Sequence, residues 1–324
     1  MPVETTDINQ LKQKTARLSI GSNLFLVIMK LAVGGMIGSV SIISEAIHSG
    51  LDLVAALIAY ISVRKSGEPP DDAHAFGHGK FEDFSGFIEA ILIFVAAALI
   101  LYEAIRKILG EESGLDMGII GIGIAVMGVS ALLNWLISSR LMKVAKKTES
   151  IALESDAWHL RTDVYTSLGV FAGLVAIHFT GITILDPLFA IGVALIIIKA
   201  AYDLTRRSFS DLIDHRLPDS EEERIRRIIC EHSSEYADFH ALRTRRSGPD
   251  RFIDLHLTVP GDATIEQAHD LADHLEADLR VEFPGANITI HQEPCGHVCE
   301  TCSSNGTCGS VCRISDRRTD VPGR

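Results

Sequence analysis

Up to about residue 208 the chain is a succession of apolar runs, each long enough to cross a hydrocarbon core of about 30 Å at about 1.5 Å per residue. Hydrocarbon satisfies no backbone hydrogen bond, so runs of this kind are confined to helices. Six spans are expected, at 18–37, 40–63, 84–105, 117–137, 155–179 and 185–204. Several carry Gly and Ala, which let helices approach closely. Gly34-Gly35 and Gly38 read as a tight turn between the first two. Beyond residue 208 the sequence turns charged, so the 47% hydrophobic content averages two unlike halves.

Basic residues set the orientation. Lys12, Lys14 and Arg17 precede the first span, and Arg64, Lys65 and Lys80 lie between the second and third. Arg140, Lys143, Lys146 and Lys147 lie between the fourth and fifth, and Arg206 and Arg207 follow the sixth. All fall on one side of six spans. The opposite loops hold Arg106 and Lys107, offset by Glu111, Glu112 and Asp116. Both termini are therefore expected in the cytoplasm. Met1 to Arg17 is polar and has no apolar core of the signal-peptide kind.

The charged part reads as helix, strand, strand, helix, strand. A Pro218-Asp219-Ser220 start signal opens a helix over 221–229. Strands over 239–246 and 252–259 flank a Ser247-Gly248-Pro249-Asp250 turn. An amphipathic helix over 264–283 ends at Pro284-Gly285, and a short strand covers 287–292. Two helices on one face of a three-stranded sheet make a small α+β domain. The expected boundaries are an N-terminal cytoplasmic tail (1–16), a six-helix membrane domain (17–208), a cytoplasmic α+β domain (209–294) and a Cys-rich flexible tail (295–324).

Ionisable residues inside membrane spans are costly and mark ion pathways. His48 and Asp52 are four residues apart in the second span, and His159 and Asp163 repeat that spacing in the fifth. The spacing stacks each pair on one helix face. Two imidazoles and two carboxylates make the four ligands of a tetrahedral zinc-like site, and their charge would neutralise a divalent cation. Glu45 lies one turn before the first pair, either lining the access path or solvated at the helix end. Asp163 has Arg161 as an alternative local partner.

Other ligand-type residues cluster elsewhere. Asp71, His74 and His78 share the loop after the second span, where they either converge on an ion or simply meet water. His240, His256, His269 and His291, with Glu293, are spread over the soluble domain as candidates for regulatory metal binding or as ordinary surface histidines. All six cysteines follow residue 229. A cytoplasmic setting disfavours disulfides and favours metal or redox chemistry. Cys295, Cys299, Cys302, Cys308 and Cys312, near His297, form a candidate tail site. Cys230 reads as a packed helix residue. Arg226, Arg227, Arg243, Arg245 and Arg246 read as solvated or paired with nearby acids. The net charge of −12 argues against a nucleic-acid partner.

With these residues in hand, the chain resembles the cation diffusion facilitators, close to the bacterial zinc and ferrous-iron efflux branch. Residues 44–52 resemble the family's second-span site, and 159–163 its fifth-span site. His74-Ala75-Phe76-Gly77-His78-Gly79-Lys80 resembles its loop signature. Leu242-Arg243-Thr244-Arg245 and His291-Gln292-Glu293-Pro294 resemble its cytoplasmic domain. The resemblance implies a homodimer of six-span subunits with metallochaperone-like cytoplasmic domains, exporting divalent metal in exchange for protons. It implies a transport site at His48, Asp52, His159 and Asp163, and a loop site at Asp71, His74 and His78. It further implies an interface cluster with His240, His256, His269 and His291, and an interlocking Lys80–Asp214 salt bridge between subunits. Two departures stand out: close relatives often have Asp where this chain has His48, and Glu293 stands where Asp is usual.

The reading that follows is a secondary active transporter of the inner membrane rather than an enzyme, moving divalent metal by alternating access. Zinc is the favoured substrate and regulatory ligand, because mixed imidazole and carboxylate ligands suit it better than oxygen-preferring ions. Cadmium, ferrous iron, cobalt and nickel stay within the same ligand range. Protons are the counter-substrate, since an imidazole must be neutral to bind metal. The alternatives are a membrane-anchored metal sensor and an intramembrane metalloprotease, though the sequence has no His-Glu-x-x-His pair.

Overall fold

A computed structural model describes residues 2–37, 40–109, 120–180 and 184–295. Its elements are α1 (Pro2–Ile37), α2 (Val40–Ser66), α3 (Lys80–Ile108), α4 (Ile120–Thr148), α5 (Ile151–Thr180), α6 (Leu185–Leu212), α7 (Asp219–Glu231), β1 (Asp238–Ser247), β2 (Asp250–Val259), α8 (Ile265–Glu282) and β3 (Asn287–Pro294). The chain divides into two compact units, Met1–Leu212 and Ile213–Arg324.

The first unit is six long helices, as the apolar runs require. By length and composition, α1, α2, α3, α4 and α6 carry stretches fit to cross a membrane. α5 is just as long at 30 residues, with its polar residues Asp156, His159, Arg161 and Asp163 in its first half and an apolar sequence after them. α1 packs on α2, α3 on α6, and α4 on α5, and α5 also touches α2, α3 and α6. That central place brings the polar side of α5 against polar positions on its neighbours. Large apolar side chains such as Phe25, Ile28, Leu99 and Leu195 stay exposed on the outer surface of the bundle, where lipid solvates them. A Cβ on Gly169 would lie 2.6 Å from Val193 Cγ2, so glycine permits the close α5–α6 crossing.

Two expectations change here. Residues 2–16, read as a tail, are the first turns of α1, and Lys12 is buried there against Glu82 of α3. The polar sequence concealed a helix because the partner of that lysine lies 70 residues away. Gly34 and Gly35 remain inside α1, which ends at Ile37, while Gly38, the third residue of the expected turn, lies outside the described residues. Gly34 instead serves the α1–α2 contact, since a Cβ there would meet Ile43 Cγ1 at 2.9 Å.

The second unit has sheet order β1-β2-β3, antiparallel between β1 and β2 and parallel between β2 and β3. Alternation in β2 buries Ile253, Leu255, Leu257 and Val259 against Ile225 and Ile229 of α7 and Leu271, Leu275 and Leu279 of α8. Thr264 caps α8 in a reciprocal box with Gln267. Gly248 (φ +58) turns the β1–β2 hairpin, and Gly285 (φ +82) ends the helix-to-strand passage, both in left-handed backbone that suits glycine. Tyr236 O–H donates to Ile229 O at 3.1 Å, and burial pushes its phenol up to about 12.

Cys230 is disulfide-bonded, a correction to its reading as a packed thiol. Cys295 carries no disulfide. His297, Cys299, Cys302, Cys308 and Cys312 of the candidate tail site lie outside the described residues.

Candidate metal centres

The helix spacing puts His48 and Asp52 on one face of α2, and His159 and Asp163 on one face of α5; the α2–α5 contact closes the four into one group. His159 Nε2 lies 3.0 Å from Asp52 Oδ1. His48 Nε2 lies 3.5 Å from Asp163 Oδ1 and 3.9 Å from Asp52 Oδ1. Ligand atoms of His48, Asp52 and Asp163 all fall within 4.8 Å of one another. Asp52 and His159 are buried, while His48 keeps half its side chain exposed. Asp163 does not pair with Arg161, whose guanidinium sits 5.4 Å from the Trp158 ring centroid.

Polar neighbours hold this group in place. Asn134 Nδ2 of α4 donates to Asp163 Oδ2 at 3.1 Å. Asn23 Nδ2 of α1 donates to the Asp52 carbonyl at 3.4 Å. Lys30 Nζ donates to Glu45 Oε2 at 3.2 Å and to Ser49 Oγ at 2.9 Å. A buried ammonium thus lies beside this group with its charge balanced by Glu45, which is 41% exposed and lines the cavity next to His48. A cavity of about 560 Å³ runs from His48 and Asp163 to Glu103 and Lys107 near the end of α3. Toward the opposite end, the one carrying the α2–α3 and α4–α5 connections, Lys12, Ser66 and Ser150 all converge on the buried Glu82 carboxylate.

The loop trio also comes together. Asp71 Oδ1 accepts from the backbone N–H of His74 at 2.7 Å and of Ala73 at 3.0 Å. These donors, that of His74 first, hold the Asp71 carboxyl below its ordinary range, so it stays an anion. His74 Nδ1 lies 3.2 Å from Asp71 Oδ1, and His78 Nε2 lies 3.2 Å from Asp71 Oδ2. The second contact lacks hydrogen-bond geometry, and neither buried ring nitrogen of His78 makes a hydrogen bond. A buried imidazole without a hydrogen bond is an exception that calls for a partner of another kind.

In the second unit, β1, β2 and β3 place His240, His256 and His291 side by side in register. Glu293 bridges them: its Oε1 is 2.8 Å from His256 Nδ1 and 3.6 Å from His291 Nε2, and its Oε2 is 3.5 Å from His240 Nε2. His269 stands apart on α8, with Nε2 3.5 Å from Asp273 Oδ2. Within one chain it joins no histidine of this group. Lys80 Nζ donates to Leu212 O at 3.1 Å in the first unit, and Asp214 accepts from Arg245 at 3.3 Å in the second.

Sequence reasoning missed Asn134, Lys30, Lys12 and Glu82 as members of these networks. Each is visible as a polar residue in or beside an apolar run, but nothing in the sequence assigns its partner.

A bundle of membrane-spanning helices built around a buried imidazole and carboxylate group defines a multi-pass membrane protein of cation transport. The chain matches the cation efflux transmembrane domain over residues 16–213 and the cation efflux protein cytoplasmic domain over 217–295. It belongs to the cation efflux, or cation diffusion facilitator, family, in the branch of the FieF pumps. It is 35% identical over 277 residues to the cation-efflux pump FieF of Pectobacterium atrosepticum, covering 86% of this chain and 91% of that one. It is 36% identical over 277 residues to FieF of Pectobacterium carotovorum, with the same coverage. An uncharacterized transporter of Synechocystis is 35% identical over 285 residues, covering 88% of this chain and 91% of that one. The protein is accordingly a transporter of divalent metal ions rather than an enzyme.

Proposed function

We propose that this chain exports zinc from the cytoplasm in exchange for protons, as a homodimer in the inner membrane with both termini in the cytoplasm. The observation that carries the proposal is the convergence of His48, Asp52, His159 and Asp163 from two helices at the inner end of a cavity. Two nitrogen and two oxygen ligands suit a borderline ion such as zinc, with cadmium, ferrous iron, cobalt and nickel as competitors. Two carboxylates balance its charge. Metal and protons compete for the imidazoles, so each state of the cycle carries one or the other.

With the α3–α4 connection outside the cell, the cavity faces outward and the Lys12–Glu82 network closes the inward path. Alternating access then requires that network to part. Asp71, His74 and His78 serve as a second zinc site at the cytoplasmic mouth. His240, His256, His291 and Glu293 sense cytoplasmic zinc, joined by His269 once two domains associate. A Lys80–Asp214 bridge between subunits belongs to the same reading.

The test is the purified chain in sealed vesicles with a zinc dye and a pH dye inside. Zinc influx coupled to proton efflux, abolished in Asp163→Ala, supports the proposal. Zinc influx with no proton movement would remove the antiport, and no influx would remove the transport of zinc.

A further inference from the structure

One group of buried acids is left over by this mechanism. Asp156 on α5 and Glu89 on α3 are both 0% exposed. Neither carboxylate oxygen of Asp156 has a hydrogen-bond partner, nor has Oε2 of Glu89. Glu89 Oε1 accepts from Ser85 Oγ at 3.3 Å, and the Ser155 hydroxyl of α5 also lies beside this carboxylate. The pair is electrostatically close: Glu89 feels the charges of Asp156 and His159, and Asp156 those of His159 and Asp52. Asp156 precedes His159 by three residues, on the same side of α5 and nearer the end that carries the α4–α5 connection.

Ion pairing does not account for this arrangement. Lys12 is already held by Glu82, and no Lys or Arg forms an ion pair with Glu89 or Asp156 among the described residues. Beside them stand the fully buried Ser19 hydroxyl of α1, which interacts with Asp156 without reaching full hydrogen-bond geometry, and His159 Nδ1, the ring nitrogen not engaged by Asp52 and without a hydrogen bond. Buried carboxylates without partners are costly and persist in membrane helices where they serve an ion path. A carboxylate with two open oxygens is the complement of a cation.

We propose that Glu89 and Asp156 form an inner cation position on the transport path, one helical turn from His159 on the side opposite the open cavity. A cation rests there between the cytoplasm and the four-residue site. The inference rests on the transporter reading above. The shared chemistry is a cation on paired carboxylates, and its source is either the transported metal or the counter-moving proton.

The experiment uses the full-length protein in vesicles, with Asp156→Asn, Glu89→Gln and the double variant, each checked for a monodisperse elution profile. Two fluxes are read: net zinc uptake driven by a pH gradient, and exchange of zinc for labelled zinc, which requires no net proton movement. If metal occupies the pair, both fluxes fall at least about tenfold, with zinc affinity at the outer site nearly unchanged. If protons occupy it, net uptake falls and exchange persists. Either result supports the cation position. A purely structural role predicts the reverse, because a neutral amide relieves the buried charge: the variants melt higher and transport normally, and that outcome overturns the inference. Should one variant fail to fold, the other still decides. Absence of zinc movement in the unmodified protein would remove the zinc-transport reading on which this one rests, whereas unaltered fluxes in the variants remove this one alone.

Discussion

His159 Nε2 and Asp52 Oδ1 meet at 3.0 Å across the α2–α5 contact, joining residues 107 positions apart. This one contact makes a single site of two separate pairs. On the function proposed above, a divalent ion binding here would displace this hydrogen bond and take both groups as ligands.

The first prediction concerns the second carboxylate. Asp163→Ala deletes one ligand and leaves a bound divalent ion short of compensating charge at membrane depth. Zinc flux should fall by at least about a hundredfold, since loss of an outer-shell partner alone costs about 10–100-fold. A folded variant that takes up zinc at the unmodified rate would exclude Asp163 from the transport site.

The second concerns Asn134. Its amide donates to the Asp163 oxygen that does not face His48, fixing the carboxylate without itself being a ligand. Asn134→Ala should weaken zinc binding by about 10–100-fold, less than Asp163→Ala does. Calorimetric titration in detergent, with the loop and cytoplasmic histidines replaced, isolates this site. Equal affinity with and without the amide would mean that the hydrogen bond positions nothing.

Much of this was legible before any coordinates. A histidine and an aspartate four residues apart, twice, inside apolar runs have few roles other than ion binding. Residue partners were not legible. Asn134 and Lys30 look like isolated polar interruptions until α4 and α1 are packed beside the site. The helical start of α1 was hidden for the same reason, because Lys12 is buried only against a glutamate of α3. The strand register that gathers His240, His256 and His291 around Glu293, yet leaves His269 on a helix with Asp273, is a tertiary fact that spacing does not carry.

The third prediction concerns selectivity. His48→Asp exchanges a nitrogen ligand for an oxygen, which lowers the site's preference for borderline metals. The zinc-to-cadmium flux ratio should fall in parallel assays. A ratio equal to that of the unmodified protein would show that His48 does not set the choice of metal.

The fourth concerns the stability of the second unit. Glu221 is 12% exposed and accepts from Arg251 at 2.6 Å and Arg246 at 3.4 Å. Burial pushes its carboxyl up, but the two guanidinium groups outweigh burial and bring it below its ordinary 4.5. A depressed folded value means that the unfolded chain takes up the proton first. The stabilisation is therefore complete above pH 4.5 and is lost as pH falls through the lower folded value. Glu221→Gln should cost about 1–3 kcal/mol at neutral pH and flatten the acid limb of the stability profile. Hydrogen exchange of β2 from pH 7 down to below the folded value of Glu221 measures both effects, and an unchanged acid limb would show the ion pair to be inert.

The last prediction separates the histidines of the cytoplasmic unit. His240, His256 and His291 share Glu293 within a single chain, whereas His269 is two-thirds exposed on α8 and pairs only with Asp273. Zinc binding to one chain should therefore depend on His256 and be indifferent to His269. If His269 acts through a second copy, its loss should matter only where two domains associate. Zinc favours that associated state by its differential affinity for it and by no more. The acidic chains otherwise repel, so closure should require metal. The measurement is a distance probe on the cytoplasmic units of the full-length protein, together with zinc affinity at concentrations above and below the dimer dissociation constant. His256→Ala with His291→Ala should abolish zinc-induced closure and weaken binding in both regimes. His269→Ala should weaken binding only in the dimer regime. Closure that is equally strong in the double variant would show the strand cluster to be an ordinary histidine surface, and a loss in His269→Ala that is the same in both regimes would place that residue within the single-chain site.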